Sequence, residues 1–480
     1  MDISTKVVII GAGFGGLCMA AALKRTGHDD FVVLEKGHDV GGIWRDNIYP
    51  GCGCDVPSHL YSFSFEKYRS ARSRYPAQPE ILNYLTGVAD KYRLRQHLRT
   101  GAEVASAEYD QTARRWTVRT EAGDTFTADV VVCAVGQLHR PKLPDITGRA
   151  DFTGAAFHTA RWNPDQDLTG RDVALIGTGS SAAQLLPHVA RQARRVRVYQ
   201  RTPNWVLPKP RPEFGPLTRA VFRRTPGIQS AYRALVYLAA DLALTPVITK
   251  GWSFLPAKWA ARWHLRRQVP DPALRARLTP DYPIGCKRIV VDSDFYPAVT
   301  RENVELVTDP ISRITRDGIE VAGGRHDRAD VIVYATGFRT TEFLAPMTVR
   351  GRDGAVLQDS WQAGAEAYLG IAVEGFPNFF LVHGPNTILG HNSNIFMIEC
   401  QVHFIMNCLR LLPGAVEVRA EAMRDYRDWL DTAIGRTVWP AGCLSWYKTE
   451  SGRVTNPWPA STLHYRKLVR RDPAAAFSVT

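Results

Sequence analysis

A chain of 480 residues exceeds one ordinary hydrophobic core, so two or three domains are expected, and 45% hydrophobic with 22% charged residues are globular values. The net charge of +13 invites a nucleic-acid partner, yet Lys and Arg are scattered and nowhere interleave with aromatics as a binding face requires; the reading is a basic surface that attracts anionic cofactors, with no nucleic acid. The eight cysteines lack the spacing of a metal site, a small secreted disulfide framework or, at Cys52-x-Cys54, a redox pair, so no metal and reduced thiols in a cytoplasm are expected.

The chain enters directly on an apolar run, Val7 to Ile10, which leaves no room for a signal peptide after Met1. Gly11-Ala12-Gly13-Phe14-Gly15-Gly16 follows as G-x-G-x-x-G, Leu17 to Lys24 suits a helix, and Phe31 to Leu34 a second strand ending on Glu35. In such a unit the first glycine permits the tight turn, the second lets backbone approach a pyrophosphate, and the third lets helix and strand pack closely. The helix N-terminus meanwhile faces the phosphates. Glu35, 24 positions beyond Gly11 (35 minus 11), would accept from a ribose 2′-OH and repel a 2′-phosphate, which favours FAD or NAD over NADP.

Residues 41 to 55 are too rich in Gly and Pro for regular structure and read as a long loop over the cofactor, with Trp44 packed on it. A helix is expected over Ile81 to Tyr92, a β-meander around Val104, Trp116 to Thr120 and Thr125 to Thr127, and a buried strand from Asp129 to a glycine turn at Gly136. A second unit begins at Val173 to Ile176, turns through Gly177-Thr178-Gly179-Ser180-Ser181-Ala182, and continues as a helix from Ala183 to Ala193 and a strand from Val196 to Tyr199. Two cradles mean two dinucleotides, or one dinucleotide and a duplicated scaffold. Arg201, again 24 positions on (201 minus 177), with Thr202 and Lys287 suits a 2′-phosphate and marks this cradle for NADPH.

Residues 208 to 283 look helical, an insertion in the second unit. Within it Ala234 to Ile248 is apolar but broken by Asp241 and Pro246 and too short to span a bilayer, so it is expected to line a pocket; a membrane-touching face there would suit a greasy substrate. Strands resume at Ile289 to Val291 and Val304 to Val307, and Asp330 to Gly337 repeats the ending of residues 129 to 136 and returns the chain to the first domain. A helix from about Asn394 to Leu412 and an aromatic, turn-rich tail suited to a flap complete the chain.

Four further patterns carry a family resemblance. The linker reads Phe152-x-Gly154-x-x-x-His158-x-x-x-Trp162-Asn163. Gly41 to Asp55 reads G-G-x-W, four residues, Y-P-G, three residues, D. Lys287-Arg288 follows Tyr282 to Cys286, and Ser445-Trp446-Tyr447 lies in the tail. Over nearly its full length the chain resembles the class B flavoprotein monooxygenases, most closely the type I Baeyer–Villiger monooxygenases. Trp162 favours that branch over the relatives that oxygenate N or S, the alternative reading, while Asn163 departs from the family's Pro or Asp.

The resemblance implies an α/β fold of two Rossmann-like domains for FAD and NADPH with a helical insertion in the NADPH domain. The expected boundaries are 1–145 and 337–480 (with a C-terminal flap) for FAD, 146–210 and 285–336 for NADPH, and 211–284 for the insertion. It implies oxygen insertion from O2 beside the carbonyl of a small-molecule ketone through a peroxide on flavin C4a, and the mostly aromatic and aliphatic residues of the helical span and tail lead to the expectation of a hydrophobic one. Arg288 would stabilise that anion and Asp55 would orient the guanidinium. His158 is expected at a linker hinge. On the FAD side stand Gly11, Gly13, Phe14, Gly16, Glu35, Gly42, Trp44, Asp55, Tyr61 and Val104. On the NADPH side stand Gly177, Thr178, Gly179, Ser180, Ser181, Gln184, Arg201, Thr202, Lys287 and Arg288, with Trp446 closing over the ribose.

Overall fold

The computed structural model describes residues 2–68, 73–210 and 213–480. Strand β1 (Asp2–Ile10) alternates in exposure over its first half and is buried on both faces over its second, because there it becomes the centre of a parallel sheet. Helix α1 (Phe14–Arg25) and strand β2 (Phe31–Glu35) complete the first cradle. The short helix α2 (Ile43–Asp46) lies within the expected loop, and α3 (Gln78–Lys91) realises the expected helix a turn earlier.

Strands β3 (Leu98–Thr100), β4 (Val104–Asp110), β5 (Arg115–Thr120) and β6 (Thr125–Cys133) give a first sheet in the order Thr348–Arg350, β4, β5, β6, β1, β2, β3; the strand Phe379–Leu381 also pairs with β6. The meander's third strand and the buried run after it are one continuous β6. Its first half is antiparallel to β5, and it runs parallel to β1 throughout.

The second sheet is wholly parallel. Its strands are β7 (Ala155–His158), β8 (Asp172–Ile176), β9 (Arg195–Tyr199) and β12 (Val304–Val307) together with Val331–Tyr334, in the order β12, β9, β8, Val331–Tyr334, β7. Helix α4 (Ser180–Gln192) follows its glycine turn. Gly11 and Gly177 are structural equivalents. Each has a positive φ, 101° and 112°; each N–H donates to the last residue but one or the last of the neighbouring strand (Leu34 O 2.7 Å, Tyr199 O 3.0 Å); and a Cβ would stand 2.6 Å from Ala134 O and 2.5 Å from Ala335 O respectively. Only glycine fits such a turn.

The insertion leaves the second sheet through β10 (Val206–Leu207) and returns through β11 (Val290–Val291), which pairs with it. Between them run α5 (Pro216–Arg224), α6 (Pro226–Ile248), α7 (Phe254–Gln268) and a short helix Pro272–Arg277. The expectation of a broken, short apolar segment is corrected here: α6 is 23 residues long, continues through Pro246 in its last turn, and Gly227–Ile248 is long and apolar enough to cross a membrane by length and composition. A proline one turn from the end removes few intrahelical bonds, which is why it does not stop the helix.

The tail's helix Asn394–Cys408 is buried along most of its surface and packs against α1. The tail then doubles back to join Cys443 to Cys286 in a disulfide, Cα to Cα 6.3 Å, which corrects the expectation of eight free thiols. The partners are 157 residues apart and only tertiary folding brings them together, so no local spacing could announce them. The other six cysteines are free and buried.

Candidate active site

The register of the first sheet brings Ile10 beside both Leu34 and Cys133, so β1, β2 and β6 end together, and the second sheet ends likewise at Ile176, Tyr199 and Tyr334. A cavity of about 750 Å3 lies at the carboxyl ends of the first sheet, where open α/β sheets bind ligands, and reaches the start of α4 beside the second. From the first cradle it is lined by Gly11, Gly13, Phe14, Glu35 and, at the rim, Val104. The loop over it contributes Gly42, Trp44, Asp55 and Tyr61. Ser180, Ser181 and Gln184 at the start of α4, with Arg288 and Trp446, line the opposite side.

The backbone of the loop can lie this close because glycine faces glycine: a Cβ on Gly42 would stand 3.1 Å from the Gly13 Cα, and Gly41 N–H donates to Ala12 O at 2.9 Å. Beneath the turn, outside the cavity, a Cβ on Gly16 would stand 1.8 Å from Gly11 O. The Glu35 carboxylate is buried and accepts from Ala12 N–H (2.7 Å), Gly37 N–H (2.8 Å) and Arg45 Nη1 (2.9 Å). A carboxylate has about four acceptor positions, so one is left for a ligand hydroxyl. Trp44 donates from Nε1 to Tyr61 OH at 3.1 Å, and Tyr61 meets Phe14 edge-on with ring centroids 5.1 Å apart.

Arg288 and Asp55 come together as the sequence pattern implied. Arg288 Nη2 donates to both Asp55 oxygens, at 2.7 and 2.9 Å, from two segments 233 residues apart. The Arg288 side chain keeps about 30% of its surface open toward the cavity while Asp55 keeps 12%. The Asp55 carboxylate holds the guanidinium protonated beyond even its ordinary high value, against the opposing effect of burial. Tyr447, buried beside this pair, has its phenol pushed up to about 12 by burial.

Gly177, Thr178, Gly179, Arg201, Thr202 and Lys287 do not line the cavity and gather beside it. Lys287 Nζ donates to Thr202 Oγ1 at 2.6 Å and lies 4.6 Å from the Tyr282 ring centroid. Burial, and then the charge of Arg201, lower its pKa. Thr178 Oγ1 donates to Thr202 O at 3.5 Å, and Asn204, which has no sequence signal, donates to Thr178 O at 2.8 Å.

Two connections were not read from the sequence. Tyr49 of the Y-P-G turn donates to Gln184 Oε1 at 3.0 Å, Gln184 Nε2 donates to Gly53 O at 2.9 Å, and a Cβ on Gly51 would meet Gln184 O at 2.4 Å. The loop over the first cradle is thereby fastened to the helix of the second. The disulfide ties the residue before Lys287-Arg288 to the segment holding Trp446, whose carbonyl accepts from Thr340 Oγ1 at 2.7 Å. His158 ends β7, accepts at Nδ1 from Ala160 N–H at 3.0 Å, and packs edge-on against Phe338, where the chain leaves the second sheet for the first. Trp162 meets Phe157 at 5.1 Å.

Two glycine-turn cradles, the first opening into the cavity at its strand ends and the second bordering it through the start of α4, define an oxidoreductase that handles two dinucleotides. Residues 8–226 match the family model of pyridine nucleotide-disulphide oxidoreductases. A Baeyer–Villiger monooxygenase of Streptomyces coelicolor is 43% identical over 99% of this chain and 92% of its own length. Among solved structures, oxidized steroid monooxygenase bound to NADP superposes with a TM-score of 0.89 at 32% identity, covering 99% of each chain. OTEMO in complex with FAD and NADP superposes with a TM-score of 0.89 at 27% identity, covering 100% of each chain. The chain belongs to the Baeyer–Villiger monooxygenases, NADPH-dependent flavoproteins, and the N- or S-oxygenating alternative is not favoured.

Proposed function

We propose that the cavity converts a hydrophobic ketone to an ester or lactone and that Arg288 is its catalytic cation, positioned by Asp55. The single observation that carries this is the Arg288–Asp55 pair at 2.7 Å, fixed in place yet with the guanidinium open to the cavity between the two cradles. Residues 1–145 and 337–480 form the FAD domain in this reading, and 146–210 with 285–336 the NADPH domain, with 211–284 inserted. The residues fit both cofactors: the first turn carries no side chain where a pyrophosphate would approach Gly13, and about one acceptor position of Glu35 is left for a ribose hydroxyl. Gly179 at the start of α4 is equally open, and Lys287, Arg201 and Thr202 supply the donors of a 2′-phosphate site.

FAD, when bound, takes hydride from NADPH and with O2 supplies the oxygen atom. The protein's own part is electrostatic and steric. Negative charge develops on oxygen as the ketone is attacked, and a fixed guanidinium that needs no reorganisation stabilises it. Trp446, held by Thr340 and the disulfide, closes the cavity on the NADPH side, and Val236, Ala240, Ala243 and Val247 of α6 with Ile388 and Leu389 make an apolar, water-poor wall suited to a hydrophobic ketone.

Arg288→Ala tests the reading. Flavin reduction by NADPH should persist in stopped flow, while ester formed per NADPH consumed falls by about 10² to 10³ and H2O2 appears instead. Arg288→Lys should recover part of the yield, since an ammonium cannot serve Asp55 and the developing charge through one planar fork. Wild-type coupling in Arg288→Ala would assign the role to another cation.

A further inference from the structure

The outer face of the insertion has no use in the reaction and is unusually apolar. Along α6, Ile228, Leu235, Leu238 and Leu242 fall at i, i+7, i+10 and i+14, one stripe, and they are 43 to 65% exposed. Helix α7 packs against α6, and Trp252, Leu255, Trp259 and Trp263 before and along it are 44 to 70% exposed. Isolated exposed leucines need no explanation, but eight large apolar side chains on two adjoining elements do.

Charge identifies the partner, and along α7 basic and aromatic residues do interleave, from Lys258 and Trp259 to Arg262 and Trp263, which corrects the expectation that they nowhere do so. Between Phe214 and Val269 the chain carries nine Lys and Arg and a single acid, Asp241. Arg223, Arg224, Lys250, Arg262, Arg266 and Arg267 are exposed, whereas Asp241 is buried and turned inward, accepting from Thr462 N–H at 2.9 Å and Oγ1 at 2.7 Å. Leucine and tryptophan beside exposed cations, with no exposed carboxylate, is the composition of a surface that sinks its rings and aliphatic chains to the headgroup level of an anionic leaflet. We propose that α6 and α7 dock this protein, in the plane of the membrane, on an anionic lipid surface.

Helix α6 does not cross the bilayer. Its opposite face, Val236, Ala240, Ala243 and Val247, walls the cavity, and Asp241 pins it to the body of the protein. Pairing with a second copy is disfavoured because it would bring two faces of the same positive sign together, and the stripe covers only two heptads, short of what sustains a coiled coil. Docked, the outer face of α6 touches lipid while its inner face touches the cavity.

The test uses the FAD-loaded full chain and sedimentation with vesicles of phosphatidylcholine alone or with 30% phosphatidylglycerol. The expected result is binding to the anionic vesicles, at least tenfold weaker binding to the neutral ones and release by 0.5 M salt. Leu235→Glu/Leu242→Glu and Trp259→Glu should each lower the partition coefficient at least tenfold while retaining FAD absorbance, and Trp259→Phe should bind as wild type. Should the glutamate variants fail to fold, wild-type tryptophan fluorescence must still shift blue on anionic vesicles and be quenched by brominated lipid. Equal binding to both vesicle types, binding untouched by the variants, no blue shift, or a lipid-free dimer in light scattering that the variants dissociate would each overturn the proposal.

Discussion

Burial first, and then the like charge of Arg201 close by, lower the pKa of Lys287. Such a pair costs free energy until an anion joins it, which is the behaviour wanted of a 2′-phosphate site. Arg201→Ala should therefore raise the KM for NADPH by about 10- to 100-fold, the equivalent of about 1.5 to 3 kcal/mol for one charge-assisted bond, and change the KM for NADH by less than about threefold. Parallel steady-state titrations decide it, and equal losses with both cofactors would make Arg201 a fold residue. At this scale the sequence was informative wherever a residue type has one plausible chemical use at one spacing. Asp55 at the end of its pattern is such a case, and the structure brings it to Arg288. Asn204 and the Tyr49–Gln184 bond were not legible, because amides and phenols bond anything polar and their partners are set by tertiary placement.

The two βαβ units show the same contrast between elements. Apolar runs announced β2, β8 and the second half of β1, since a parallel strand buried on both faces must be apolar, and β9, with Arg195 exposed and Arg197 half-buried, was announced by alternation. The continuity of β6 was hidden by its change of neighbours: the half beside β5 alternates like a sheet edge and the half beside Phe379–Leu381 does not. Within the glycine turns, the same letter does unequal work at different positions. At Gly16 a methyl group would collide with the Gly11 carbonyl at 1.8 Å, whereas at Gly179 nothing lies within 4 Å. Gly16→Ala should force α1 off β1, destabilise the protein by about 1 to 3 kcal/mol or more and release FAD, while Gly179→Ala leaves the melting temperature within a degree or two. Thermal denaturation followed by flavin fluorescence compares them directly, and equal melting temperatures would refute the close-packing account of the third glycine.

For the molecule as a whole, burial governs the response to acid. His59, His158 and His391 are each buried and their pKa values are pushed down to about 4, chiefly by desolvation, with Arg233 adding to it at His59, Arg161 adding to it at His158 and Asp241 opposing it at His391. The folded chain keeps them neutral. As pH falls below the ordinary value of about 6.5 the unfolded chain takes up protons that the folded chain refuses, so stability declines between pH 6.5 and 4 and the loss from these groups ends once pH passes below 4. Each histidine contributes a slope of up to about 1.4 kcal/mol per pH unit in that window. Urea midpoints at pH 7 and pH 5 should differ accordingly, and a flat profile would mean that these histidines are not held neutral by the fold.

The Cys286–Cys443 bridge also changes what kind of object the polymer is. With it closed, the chain is a tadpole: a ring running from 286 to 443 that draws in two strands of each of the two sheets, with two linear arms of unequal length. Pulled by its ends, the oxidised protein can pay out only the arms. The 157 residue steps between the two cysteines stay shorted by one covalent bond, and reduction alone adds their contour, about 520 to 570 Å at 3.3 to 3.6 Å per residue, to the extended length.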